Sequence, residues 1–368
     1  MKRYLVVLGT RPEAIKLCPL ILALRRTAGV EVRLLFTGQH RDMVAPVLDF
    51  FGVRADVCLD VMREGQGVGG LTVRLLEALP PHMTGAWRPD AVVVHGDTTS
   101  AFAAALCAFY EGIPVLHIEA GLRTGDVHAP FPEEFNRRAI DAMSDLHFAP
   151  TAAAAERLIA EGFPRVSIFV VGNTATDAVR LCLARPGNVP PVPPDSCRLL
   201  VLTAHRREMS KEKRRELFGA IRRVVAGRED VRLVFPVHPS PAVSQVAEEV
   251  FADCPNVRLT PPLPLPEMQH LMARAYLLLT DSGGVQEEAT YLGVPTLVLR
   301  DVTERPEGVS AGVLRVVGTR GRAVEDALAD MLACPAFRDA MAKPSFVYGD
   351  GFVSERIAGI LSTWEGRA

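Results

Sequence analysis

Along the chain, apolar runs of four to six residues alternate with stretches whose apolar positions recur at helical spacing. A short, wholly apolar run reads as a strand buried on both faces, and such strands separated by helices build βαβ units around a parallel sheet. In the first half the pattern predicts strands over Tyr4 to Leu8, Val32 to Phe36, Ala91 to His95, Val115 to Ile118, Leu146 to Ala149 and Ile168 to Val171. Helices are predicted between them, over Glu13 to Arg26, Thr99 to Tyr110 and Glu134 to Met143. The proline-rich stretch RPGNVPPVPPDSC, Arg185 to Cys197, can hold neither a helix nor a central strand and reads as an interdomain linker or surface loop. The alternation then restarts, with strands predicted over Leu199 to Thr203, Leu233 to Pro236, Val257 to Leu259, Leu277 to Thr280 and Thr296 to Leu299. A second α/β domain follows from that restart. The closing segment, Phe352 to Trp364, has helical spacing and is expected to pack back across the first domain.

Length agrees: 368 residues is about two domains at roughly 150 residues each. A hydrophobic content of 48% and a net charge of −2 describe a soluble globular chain with material for two cores and no nucleic-acid footprint. The seven cysteines are scattered and never spaced C-x-x-C, which suggests neither a disulfide framework nor a zinc site. The five-residue apolar run near the N-terminus is too short for a signal sequence or a membrane span, so a cytoplasmic protein with no membrane partner is expected.

The chemistry concentrates where predicted strands end. In an open parallel sheet, ligands bind beyond the carboxyl ends of the strands. The first strand runs into GTRPEAIK, where Pro12 and Glu13 start a helix and Arg11 and Lys16 add positive charge to its N-terminus. That turn reads either as an anion site or simply as a solvated helix start. It has Gly9 in place of G-x-G-x-x-G, which argues against a nicotinamide dinucleotide. Asp97 in VVVHGDTTSAF, Glu119 in VLHIEAGLRTGD and Glu133 in FPEEFNRR each stand at such an edge. Each could be an ordinary helix-start acid, but three on one edge suit acid/base chemistry. In the second half His205, with Arg206 and Arg207, and His238 occupy strand ends. LLLTDSGGVQEEA offers a Ser282-Gly283-Gly284 turn at a helix start that can hold phosphate, with Glu287 and Glu288 one turn in to accept from sugar hydroxyls. Arg305 follows in RDVTERPEGVSAG. With an anion-binding turn in each half, a diphosphate ligand clamped between two domains is expected.

GTRPEAIK, HGDTTS, EAGLRTGD, PEEFNRR, HRRE, TDSGGVQEEA, RDVTERPEG and YGDG occur in this order over nearly the whole chain. Together they resemble the non-hydrolysing UDP-N-acetylglucosamine 2-epimerases. The resemblance implies the glycosyltransferase-B architecture, two Rossmann-like domains facing across a cleft. The expected layout is 1–173 for the first domain, 174–352 for a UDP-binding second domain, and 353–368 for a C-terminal helix returning to the first. It implies interconversion of UDP-GlcNAc and UDP-ManNAc at C2 through UDP elimination to 2-acetamidoglucal and re-addition, with no metal or other cofactor, in a cytoplasmic homodimer that supplies surface polysaccharides. It assigns catalytic roles to Asp97, Glu119, Glu133 and His205, without settling which is base and which acid. Substrate contacts fall to Arg11, Lys16, His238, Ser282, Gly283, Gly284, Glu288 and Arg305. A second UDP-GlcNAc as activator would lie at Gln39, His40 and Gln66. Three departures bear on this: Met209 to Lys213 after HRRE, Gly65 before Gln66, and Ser240 where asparagine is usual. The alternatives are a hydrolysing epimerase releasing ManNAc and UDP, a 2-epimerase of a related UDP-amino sugar, a glycosyltransferase, and a non-catalytic nucleotide-sugar sensor.

Overall fold

The computed structural model describes residues 1–63, 65–186, 197–204 and 209–366. Contacts divide the chain into two units, Met1–Ala178 with Gly349–Ala368, and Val179–Tyr348. Most of the proline-rich stretch, 187–196, lies outside the described residues.

The first unit is built on strands β1 (Lys2–Leu8), β2 (Val30–Phe36), β3 (Val57–Cys58), β4 (Ala91–His95), β5 (Val115–Ile118), β6 (Leu146–Ala149) and β7 (Ile168–Val170). They form a seven-stranded sheet in the order β3-β2-β1-β4-β5-β6-β7, with every pair parallel. Because β1 lies between β2 and β4, successive crossovers leave it in opposite directions, and the loops after β1 and β4 diverge around the point where α/β sheets bind ligands. The helices are α1 (Arg11–Arg26), α2 (Arg41–Phe51), α3 (Val68–Ala78), α4 (Thr99–Tyr110), α5 (Glu133–Met143), α6 (Ala152–Ala160) and α7 (Ala175–Leu183). Every second residue of the central strands, Leu5, Val7, Val92 and Val94, shares one core with Leu71 and Leu75 of α3 and with Ala101, Ala104, Ala105 and Ala108 of α4. Small residues let α4 lie close to the sheet, which sets the turn before it at a defined depth.

That depth makes Gly9 obligatory. A Cβ at Gly9 would stand 2.2 Å from Ser100 Oγ, 2.5 Å from Thr37 Oγ1 and 2.8 Å from Ser100 Cβ. Ser100 in turn donates to Gln39 Oε1 at 2.9 Å, so the loop cannot yield without breaking that bond. Gly9→Ala is therefore expected to destabilise by roughly 1–3 kcal/mol, as overpacking does, read as a lowered midpoint in thermal or urea unfolding. An unchanged midpoint would show that the β1–α1 turn moves freely.

The second unit contains β8 (Arg198–Thr203), β9 (Val231–Pro236), β10 (Val257–Thr260), β11 (Leu277–Thr280), β12 (Thr296–Val298) and β13 (Leu314–Val316). They form a parallel sheet in the order β10-β9-β8-β11-β12-β13, whose reversal lies between β8 and β11. Around it stand α8 (Lys211–Val225), α9 (Pro241–Phe251), α10 (Leu265–Ala273), α11 (Gly283–Leu292), α12 (Pro306–Ser310), α13 (Gly321–Ala333) and α14 (Pro335–Met341). Leu200, Leu202, Leu233, Phe235, Leu277 and Leu279 form one core face with Phe218 and Phe251. The Phe218 and Phe235 rings meet edge-on at 5.3 Å. The fold class is thus two parallel-sheet α/β units, as the alternation predicts. Strands β3 and β13 escape the pattern: the first is two residues long, and Arg315 interrupts the second.

The final helix, α15 (Val353–Thr363), packs on α1 within the first unit. Tyr4 Oη donates to Leu361 O at 2.8 Å, and burial pushes this phenol up to about 12. The division between units falls after Ala178 and at Gly349, not after 173 and 352 as expected. The reason is Asp177, whose buried carboxylate accepts from Val353 N at 3.0 Å and Ser354 N at 2.6 Å, holding the first turn of α15. Gly349, at φ 125°, fits against Thr176, whose Oγ1 a Cβ would approach to 2.8 Å. Among the described residues, no helix is long and apolar enough to cross a membrane.

Candidate active site

The β1–α1 turn is held by a buried carboxylate. Glu13 Oε2 accepts from Gly9 N at 3.1 Å, Thr10 N at 2.8 Å and Thr10 Oγ1 at 2.8 Å, while Oε1 accepts from Thr98 Oγ1 at 2.8 Å. Burial, the dominant influence, raises its proton affinity against the lowering effect of those donors. Glu13 thereby ties the loop after β1 to the loop after β4. Sequence reading took it for a helix starter alone. The only signal of more was its position three residues after Thr10, the spacing of a capping box.

Glu119 follows the last residue of β5 with φ 69°, the only positive φ at a non-glycine among the described residues. An L-residue pays roughly 1–2 kcal/mol for that conformation and keeps it only where its surroundings hold it. Here the N–H groups of Glu119 and Ala120 both donate to Phe148 O, each at 3.1 Å. The side chain is buried, and its Oε2 lies 2.7 Å from Lys16 Nζ and 3.0 Å from His95 Nε2. The Lys16 contact is a hydrogen-bonded ion pair. His95 Nε2 is close enough for electrostatic contact but aligned for a hydrogen bond with no described residue. A carboxylate removed from water requires such company. Lys16 is thus not a solvated helix start: only 9% of it is exposed.

Asp97 stands half-buried after β4. Its carboxylate accepts from Arg137 through Nε at 3.0 Å and through a second, shorter contact from the same guanidinium. Its main-chain carbonyl accepts from Asn136 Nδ2 at 2.9 Å. Both partners come from α5, so FPEEFNRR clamps the turn of HGDTTS. Glu133 opens α5 half-buried, whereas Glu134 is wholly buried and structural, accepting from Thr124 N at 3.0 Å and Arg138 Nε at 2.9 Å. Arg11 is the first residue of α1. Asp97, Glu119, Lys16 and the α5 start therefore gather at the carboxyl edge of one sheet. His205 lies outside the described residues.

The remaining first-unit candidates divide. Gln39 is bound to Ser100, and His40 N donates to Gly9 O at 2.9 Å, placing GQH over the β1 turn. Gln66 donates to Val61 O at 3.3 Å and accepts from Arg74.

In the second unit, Ser282, Gly283 and Gly284 begin α11 directly beyond β11, beside the sheet reversal. Ser282 N donates to Thr280 Oγ1 at 3.0 Å. Among the described residues, a Cβ at Gly284 would meet nothing within 4 Å. Glu287, expected with Glu288 to accept from sugar hydroxyls, is 1% exposed and accepts from Arg305 Nε, which makes Arg305 a buried, paired cation. Glu288, the next residue, is 9% exposed. His238 is exposed after β9, with Nδ1 accepting from Ser240 N at 3.2 Å. That bond uses only the main chain of residue 240, so serine serves where asparagine is usual.

Comparison with known proteins accords with this geometry. The family model described as UDP-N-acetylglucosamine 2-epimerase matches residues 22–362. A Bacillus subtilis protein named UDP-N-acetylglucosamine 2-epimerase is 45% identical over 357 residues, covering 96% of this chain and 93% of its own. The crystal structure of the Neisseria meningitidis UDP-GlcNAc 2-epimerase bound to UDP-GlcNAc superposes with a TM-score of 0.93 at 37% identity, over 98% of this chain and 99% of that one. A structure of S. aureus MnaA with UDP gives 0.91 at 39% identity, over 98% and 96%. With two parallel α/β units, acids at the reversal of the first sheet and a glycine-opened helix at the reversal of the second, this chain belongs to the UDP-N-acetylglucosamine 2-epimerase family.

Proposed function

We propose that the protein interconverts UDP-GlcNAc and UDP-ManNAc by the non-hydrolysing route, in the cytoplasm, as a homodimer. The observation that carries the reading is Glu119: a buried carboxylate in a left-handed backbone conformation, gripped by Lys16 at 2.7 Å. Strain of that kind persists where a side chain must be aimed.

The sugar's C2 proton is not acidic enough for direct removal as a carbanion. The C1–O bond to UDP breaks with its electron pair leaving on the diphosphate, a carboxylate takes the C2 proton, and a C1=C2 double bond results. In the reverse sense UDP re-adds at C1 and C2 is protonated on the opposite face. Glu119, Asp97 and Glu133 are the candidate acids, with His205. Lys16 pairs with the Glu119 carboxylate, while Arg137 aligns Asp97. The α11 start, with Ser282, Gly283 and Gly284, receives the diphosphate through main-chain N–H groups and the helix dipole. The space over Gly284 suits close approach of a phosphate to backbone. Arg11, His238, Glu288 and Arg305 complete the nucleotide site. The GQH segment and Gln66 are the place for a second UDP-GlcNAc acting as activator.

The test is incubation with UDP-GlcNAc in D2O, followed by proton NMR. A UDP-ManNAc anomeric signal with deuterium at C2 is expected. Accumulation of free ManNAc would instead establish hydrolysis, and silence, also with UDP-GlcNAc added to UDP-ManNAc, would overturn the substrate. Asp97→Asn should lower kcat roughly a hundredfold, within the range for positioned acid/base groups, and near wild-type turnover would remove Asp97 from the chemistry.

A further inference from the structure

Behind the acids lies a buried pair of titratable side chains. His117 on β5 is 0% exposed, as is Asp141 on α5. His117 Nδ1 lies 2.6 Å from Asp141 Oδ1, and its Nε2 lies 2.8 Å from Gly96 O. A carbonyl oxygen can only accept. Asp141 is held as a carboxylate: burial would raise it, but His117 and Arg123 beside it bring it below the ordinary value. Arg123 donates to Asp141 Oδ2 at 2.7 Å, and Gly121 N approaches the same oxygen at 3.4 Å. Nε2 therefore carries a hydrogen and donates to Gly96 O, while Asp141 holds the ring from Nδ1. The other titratable neighbours are His147, whose Nε2 donates to Asp141 O at 2.9 Å, and Glu161, which accepts from Arg123 at 2.8 Å.

Gly96 O belongs to the peptide whose N–H is that of Asp97. Gly96 sits at φ 62°, where glycine has the most freedom, so this peptide plane is the one most able to rotate between β4 and α4. The Nε2–H bond from His117 fixes it. Two residues further along β5, the same strand delivers Glu119. We propose that His117, clamped by Asp141, is a positioning residue for epimerisation: it locks the Gly96–Asp97 peptide and so sets where the Asp97 carboxylate stands. This rests on the epimerase reading above.

His117→Gln can bring an amide N–H toward Gly96 O but has no second group to reach Asp141, so nothing clamps that donor and the peptide is no longer locked. It is expected to lower kcat roughly tenfold or more with KM for UDP-GlcNAc changed by no more than about twofold, because the nucleotide site is untouched. The discriminating measurement is a double-mutant cycle with Asp97→Asn, read as C2 deuterium exchange in D2O. If His117 acts through Asp97, adding His117→Gln to Asp97→Asn costs less than about twofold further. Multiplying losses, or wild-type kcat in folded His117→Gln, would overturn the proposal. Should that variant fail to fold, 15N NMR of histidine-labelled wild-type protein at the assay pH decides: a hydrogen on Nε2 of His117 supports the lock, and a bare Nε2 overturns it. Loss of exchange in the wild type itself would overturn the epimerase reading instead, so the two failures are distinguishable.

Discussion

Glu119→Gln should lower kcat by roughly a hundredfold or more, and C2 exchange in D2O should fall in parallel. Glutamine preserves the volume at a site with little room, and its carbonyl oxygen can still accept from Lys16 across the 2.7 Å contact. What it cannot do is take a proton, or balance the Lys16 charge where both partners are buried. The activity loss should therefore exceed any loss of affinity, with KM for UDP-GlcNAc changed severalfold at most. Glu119→Gly separates strain from chemistry: glycine adopts φ 69° without penalty, so the backbone should relax while activity is lost. Near wild-type turnover in folded Glu119→Gln would take Glu119 out of the reaction and leave its conformation without a functional account.

Glu287→Ala should destabilise the protein by about 3 kcal/mol, the low end for removing one partner of a buried ion pair, because Glu304 stands 3.7 Å from Arg305 Nη1 and keeps part of that charge balanced. Glu287 is 1% and Arg305 7% exposed. Arg305 also belongs to a hydrogen-bonded run in which its own N–H donates to Thr303 Oγ1 at 3.1 Å and Thr303 donates to Gln286 Oε1 at 2.6 Å. Losing Glu287 should thus disturb the loop before α12 as well as the guanidinium. For a unit of this size the expected shift of thermal midpoint is on the order of ten degrees, with weakened UDP binding in calorimetry. Arg305→Lys alone should also lower stability, since lysine has no Nε to make the bond Glu287 accepts. A Glu287→Ala midpoint within a degree or two of wild type would show that the pair contributes little.

Pattern was enough to find the strands that matter. β4, β5, β6 and β11 run as the apolar runs end, and the acids at those ends were visible because polar residues immediately after a buried strand must lie at a sheet edge. Partners were another matter. Lys16 and Glu119 are 103 positions apart and meet because β1 pairs with β4, and β4 with β5, an order that no local period encodes. Glu133 and Glu134 are neighbours of one type in one motif. Only packing makes the first a half-buried helix start and the second a wholly buried acceptor. Glu287 and Glu288 repeat the lesson, since helical rotation turns one toward Arg305.

Composition, period and strand-end chemistry thus determined by themselves the two α/β units and the polar turns at their sheet edges, and the ordered motifs carried the resemblance to the family. Those features are local, set by burial and by a few residues of spacing. Which acid is paired, which cation is buried, and that His117 faces two acceptors were decided only by tertiary structure, because each depends on bringing distant strand ends together in one low-dielectric edge where a charge must find a partner.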